Sequence, residues 1–111
     1  MDEEYIEIIT EIEKQEYNPP ERILFLSVIF QALLDATKEK TIVESSRTSV
    51  ERAHARAWFF CSVGVTCDNF EYVCESAGMD ADYTRNFALK VINSKEIKYV
   101  RQRIRRVLDK S

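Results

Sequence analysis

The sequence predicts an all-α fold, a compact bundle of five or six helices with a helix-turn-helix in its second half. Two observations carry that expectation. The 111 residues contain only two Gly and two Pro, while Glu, Arg, Ala, Leu and Ile are plentiful, a composition that favours helices joined by short connections. Apolar residues also recur three and four apart in successive segments, the period of one helical face. The length is that of a single domain spanning residues 1–111, with a modest core and no room for a separate cofactor domain.

Residues 2–16 place Tyr5, Ile8, Ile9 and Ile12 on one helical face, with acids covering the rest and loading the positive end of the helix dipole. Asn18-Pro19-Pro20 stops that segment. Proline is tolerated in a first turn, so a second helix begins there and runs through Ile23, Leu24, Leu26, Val28, Ile29, Phe30, Leu33 and Leu34. Its apolar residues cover nearly the whole circumference, which predicts a central, buried helix; a strand over 23–30 competes, but the continuation QALLDATK favours the helix by length. Residues 38–47 are polar and aperiodic and predict the longest loop. Thr48-Ser49-Val50-Glu51 has the form of a capping box opening a third helix, with Val50, Ala53, Ala57, Trp58 and Cys61 inward. Ser62 to Cys67, containing Gly64, breaks it. Asp68 is expected to cap a short fourth helix through Ala77, Gly78 to take a left-handed turn position, and Asp80 to cap a fifth helix to about Asn93. Ser94 is expected to cap a basic sixth helix over about 95–109, with Ile97, Val100, Ile104 and Val107 inward.

Charge is divided along the chain. The formal net charge is −3, yet residues 1–21 carry eight acids against Lys14, a net −7, and residues 85–111 carry nine bases against Glu96 and Asp109, a net +7. The mean charge therefore says little about partners. The opening MDEEYIEIITEIEK lacks the basic n-region and apolar core of a signal peptide, and the apolar run Ile23 to Phe30, broken by Ser27, is far below the roughly 20 residues that span a bilayer. Three cysteines without CxxC spacing fit a reducing compartment. A soluble cytoplasmic protein with no membrane partner is the expectation.

Residues 70–90, FEYVCESAGMDADYTRNFALK, have the layout of a helix-turn-helix, placed at about 69–93. Cys74 is the small residue four before the turn glycine Gly78, and Val73, Ala77, Met79 and Phe87 lock the helix angle; Thr84 stands where an aliphatic residue would be usual. Such a unit projects its second helix into a major groove. Asp82, Tyr83, Arg85, Asn86 and Lys90 are then the candidates for base contact, since Arg and Asn suit bidentate bonds to guanine and adenine. Lys95, Lys98, Arg101, Arg103, Arg105 and Arg106 follow as phosphate neutralisers. The plainer reading is a Gly-centred turn in an ordinary helical domain, with basic residues favouring a helix C-terminus.

The stretch RAHARAWFFCSVGVTCDNFEYVCESAGMDADYTRNFALK resembles a pattern in small helix-turn-helix proteins of bacteriophages and prophages. Its elements here are Ala55 to Phe59, Phe70, Val73, Cys74, Gly78, Asp80 and Arg85, within residues 52–90, about a third of the chain. The resemblance implies double-stranded DNA binding in a bacterial host cytoplasm rather than a specific activity. The acidic head and the long apolar second helix lie outside the pattern.

Other constellations have plainer readings. His54, Cys61, Cys67 and Cys74 are separated by seven, six and seven residues, which matches no zinc finger or ribbon; buried thiols and a surface histidine are the stronger reading, with Cys67 as the expected exposed thiol. The acids Glu3, Glu4, Glu7 and Glu11 read as a solvated helix face before they read as a metal site or phosphate mimic. Trp58, Phe59, Phe60, Phe70 and Tyr72 are mostly core, with the consecutive three also suited to a subunit interface. No phosphate-binding glycine loop, triad or carboxylate pair is present, so neither catalysis nor a cofactor is expected. The expected function is that of a small phage-type transcriptional regulator, dimeric or of higher order. The rivals are a terminase small subunit in DNA packaging and a protein-binding adaptor or inhibitor of a host factor such as RNA polymerase.

Overall fold

A proline in a helix's first turn sacrifices no intrahelical hydrogen bond, and Pro20 opens α1 (Pro20–Ala36). A computed structural model describes residues 20–109 except 44 and 62, so the expected helix over 2–16 lies outside the described residues. α1 is followed by α2 (Ser46–Phe60), α3 (Val65–Ser76), α4 (Ala81–Ile92) and α5 (Ile97–Asp109). The described residues thus form an all-α bundle of five helices. None of these helices is long and apolar enough to cross a membrane.

α1 is the central element and touches all four others. It buries Leu26, Ile29, Phe30, Leu33, Leu34 and Ala36, which pack with Phe59 of α2, Phe70, Val73 and Cys74 of α3, Phe87, Ala88 and Val91 of α4, and Val100, Ile104 and Val107 of α5. The expectation that α1 is covered all round is corrected on one side: Leu24 and Val28 are 62% and 40% exposed. Trp58, Phe59 and Phe70 form an edge-to-face cluster with centroids 4.9–5.8 Å apart, and Trp58 Nε1 donates to Asn69 Oδ1 at 2.8 Å, joining α2 to α3.

Three helix starts differ from expectation. α2 begins one turn early: Ser45, not Thr48, is the cap, its Oγ accepting from the Thr48 N–H at 3.2 Å. Glu51 therefore lies too far into the helix to close a capping box, and its carboxylate instead binds Arg47 Nε at 2.9 Å and the Lys38 ammonium. α3 starts at Val65 behind Gly64, whose φ of +93° suits glycine, with Asp68 already inside the helix. α5 starts at Ile97, after a turn in which Ser94 Oγ accepts from the Glu96 N–H at 3.1 Å. The inward face of α2 also differs. Arg52, Ala55 and Phe59 are buried, whereas Val50, Ala53 and Ala57 point to solvent and Trp58 and Cys61 are half-buried.

Each helix leaves its last carbonyls without intrahelical partners, and none of α1, α2 or α3 carries a basic residue in its own last turn. Arginines from other helices fill that role. At the end of α1, Leu34 O accepts from Arg101 Nη1 at 2.6 Å and Ala36 O from Arg56 Nε at 2.9 Å, while Thr37 Oγ1 donates to Leu33 O at 2.7 Å. Phe59 O, in the last turn of α2, accepts from Arg85 Nε at 3.1 Å. Ala77 O, after α3, accepts from Arg22 Nε at 3.0 Å. A guanidinium suits this work because it stays charged and presents several fixed donors towards the negative end of a helix dipole.

Candidate nucleic-acid interface

The connection between α3 and α4 is fixed by a small number of backbone bonds. Met79 N–H donates to Cys74 O at 2.8 Å and Gly78 N–H to Glu75 O at 3.0 Å, the paired bonds of a Schellman ending. Gly78 takes φ +73°, as its position requires. Asp80 then caps α4, accepting from the Tyr83 N–H at 2.8 Å. Cys74, Ala77 and Thr84 are fully buried and Phe87 nearly so. Thr84 is accommodated among them because its Oγ1 donates to Asp80 O at 2.7 Å, so the hydroxyl is satisfied.

α4 buries Thr84, Phe87, Ala88 and Val91. Tyr83, Asn86 and Lys90, spaced three and four apart, lie on another face of the helix. Asn86 is exposed, Tyr83 is 51% exposed and Lys90 is half-buried. Asp82 is exposed at the start of the helix.

Arg85 stands apart from this stripe. Its Nε holds Phe59 O, its Nη1 donates to Asp82 Oδ1 at 3.1 Å, its Nη2 donates to Cys67 Sγ at 3.4 Å, and its guanidinium lies 4.8 Å from the centre of the Phe70 ring. One side chain thereby ties α4 to the end of α2 and to α3. Arg85 was expected to read bases; its partly exposed guanidinium here meets partners within the protein.

On α5, opposite flanks carry different sets. Lys98, Arg101 and Arg105 follow one another three and four residues apart, and Tyr99, Arg103 and Arg106 do so on the other flank. Lys95, Lys98, Arg105 and Arg106 are exposed. Arg101 is not, because it holds Leu34 O and Thr37 Oγ1, both at 2.6 Å. Burial, and then the neighbouring charge of Arg105, hold its guanidinium below the usual arginine pKa. Arg103 is half-buried and donates to the Tyr99 hydroxyl at 3.4 Å. Lys98 and Arg101 also line a cleft of about 420 Å³ with Thr37, Lys38 and Thr48. Tyr99 and Lys38 are additions to the sequence-derived set; the spacing of Tyr99 with Arg103 and Arg106 was visible in the sequence, whereas the position of Lys38 depends on the packing of α1 against α2.

The thiols are also redistributed. Cys67 was expected in a loop and exposed; it lies in α3 and is buried, and Cys61 is the least buried of the three. Burial pushes the Cys67 and Cys74 thiols up from their ordinary pKa. His54 is exposed on α2, and among the described residues no group of three or more His, Cys, Asp or Glu is placed to hold a metal ion. Comparison of the chain with family models, with curated proteins and with solved structures gives no significant match.

Proposed function

We propose that this chain binds double-stranded DNA, with α3, the Gly78 turn and α4 acting as a helix-turn-helix and α4 lying in the major groove. In this reading it is a small transcriptional regulator of the phage and prophage kind that residues 52–90 resemble, a binding protein rather than an enzyme. The observation that carries the reading is the stripe Tyr83, Asn86 and Lys90 on a helix whose start is fixed by Gly78 and Asp80. Asn86 is the base reader, suited to adenine, and Tyr83 and Lys90 contact the groove wall. Lys95, Lys98, Arg105 and Arg106 hold phosphates, with Arg103 beside them. Arg85 and Arg101 act within the protein and support the interface by fixing α4 and α5.

Selection from a randomised duplex pool tests the reading. The wild type should return a defined half-site, and Asn86→Ala should lose discrimination at one or two positions, roughly 1–3 kcal/mol each. A wild type that selects no sequence removes base readout by α4. If the selected protein proves to be a ring of many subunits by light scattering, a packaging role as a terminase small subunit replaces regulation.

One observation favours a second reading, a protein-binding adaptor or inhibitor of a host factor. Leu24, Val28 and Leu108 line an open groove of about 420 Å³ with Ser27, Gln31, Ala32 and Asp35, an apolar surface that suits a partner helix. Absence of binding to any duplex at low salt, in a protein with native helicity, selects this reading over the first.

A further inference from the structure

α1 packs against all four of the other helices, and its exposed residues fall on the one side they leave open: Glu21, Leu24, Val28 and Gln31, three and four residues apart. On that side Leu24, Val28, Ala32 and Leu108 line the open apolar groove described above. Leu108 brings α5 to its edge. α5 runs back along α1, since Arg101 meets Leu34 O while Leu108 reaches the groove, and the exposed Arg105 stands one turn before Leu108.

The chain itself supplies a segment that matches this groove. Residues 2–16, outside the described residues, carry Tyr5, Ile8, Ile9 and Ile12 on one helical face. As a helix that stripe is about 10 Å long, against about 12 Å from Leu24 to Ala32 at the same rise per residue. Only Tyr17, Asn18 and Pro19 separate the segment from α1, and a connection of roughly two to five residues joins antiparallel helices. Such a hairpin can lie only on the side of α1 that the other helices leave open. Charge agrees. The segment has seven acids against Lys14, with Glu4 and Glu11 bordering the stripe on one side and Asp2 and Glu13 on the other, so an acid faces α5 and Arg105 in either rotation. We infer that residues 2–16 form a helix that folds back antiparallel on α1 and fills the groove, with Ile12 towards Leu24 and Tyr5 towards Ala32. The short connection favours the chain's own segment over a second copy, because it holds the segment at a high effective concentration. A partner helix of the second reading above would have to displace it. The inference does not depend on DNA binding by α4.

Hydrogen–deuterium exchange of the full chain, read by mass spectrometry on peptides from residues 1–19, tests it, with circular dichroism as the folding control. A free helix of this length is marginal in water, so the amides of residues 5–12 gain strong protection only by docking. The wild type should show protection there of roughly a hundredfold or more, the scale of burying two or three apolar side chains, and it should be the same at every protein concentration. Val28→Asp puts an unpaired carboxylate under the segment and should remove most of that protection while leaving the α3 and α4 peptides unchanged. Ile9→Asp should do the same from the segment's side. No protection in the wild type, protection that survives both variants, or protection that rises with concentration and so marks a second copy as the occupant would each overturn the inference. Should Val28→Asp lose helicity beyond the segment, Leu24→Ser, at a position 62% exposed, carries the same expectation, and full protection in that variant would overturn the docking.

Discussion

Arg85 shows how much a single side chain's surroundings decide. As an arginine on a candidate reading helix it suits guanine; in the folded chain its donors meet Phe59 O, Asp82 and Cys67. Arg85→Ala should therefore destabilise the protein by about 2 kcal/mol, the scale for losing a charged hydrogen bond to a helix end that then has no substitute. Arg85→Lys should not restore the loss, because an ammonium lacks the fork that serves three acceptors. Asn86→Ala should leave the melting temperature unchanged, and comparing the two melts separates clamp from reader. Gly78→Ala places a side chain at φ +73° and a Cβ 3.4 Å from Arg22 Nε, so urea unfolding should register a loss of about 1 kcal/mol or more. The thiols give a third check. Titration of the native protein with a thiol-reactive dye should modify Cys61 first and leave Cys67 and Cys74 protected until unfolding, since both are buried and their thiolates are disfavoured. Early reaction at Cys67 would contradict the burial of the α3 face.

At the scale of elements, the sequence was most legible where a residue's chemistry admits one local use. Gly78 and Asp80 mark the end of α3 and the start of α4, and both do what the residue types require. Asp80→Ala should cost about 1 kcal/mol by removing that cap. α2 was less legible for two physical reasons. Ser45 and Thr48 both offer a hydroxyl, and only the path of the preceding loop decides which one caps. Its helix also carries two apolar faces, and nothing local says which the core takes. The pairing of Glu51 with Lys38 and Arg47 has a signature in pH. Its hydrogen bonds, first with Lys38 and then with Arg47, hold the Glu51 carboxyl below the ordinary glutamate pKa, so its contribution is present above that value and lost as pH falls through the lowered one. The Lys38 ammonium is raised, chiefly by Glu51, so its contribution holds below the usual lysine pKa and is lost only as pH rises through the raised value. Wild-type stability relative to Glu51→Gln should thus be level near neutrality and converge at acid pH; a constant difference down to the lowest pH would contradict the pairing.

Over the whole molecule, the arginines serve two purposes. Arg22, Arg56, Arg85 and Arg101 complete the ends of helices to which they do not belong, and these contacts, 20 to 67 residues apart in the chain, could not be read from local spacing. The net +7 of residues 85–111 therefore overstates the charge available to a phosphate backbone. Lys95, Lys98, Arg105 and Arg106 remain exposed. The most direct test of DNA binding is the affinity of the wild type for duplex DNA measured as a function of salt. If the four exposed cations neutralise phosphates, log affinity should fall with log salt at a slope of about −3.6 per protomer, and Arg105→Ala should flatten it by about 0.9. No measurable affinity at low salt, or a slope untouched by Arg105→Ala, would contradict the proposed interface.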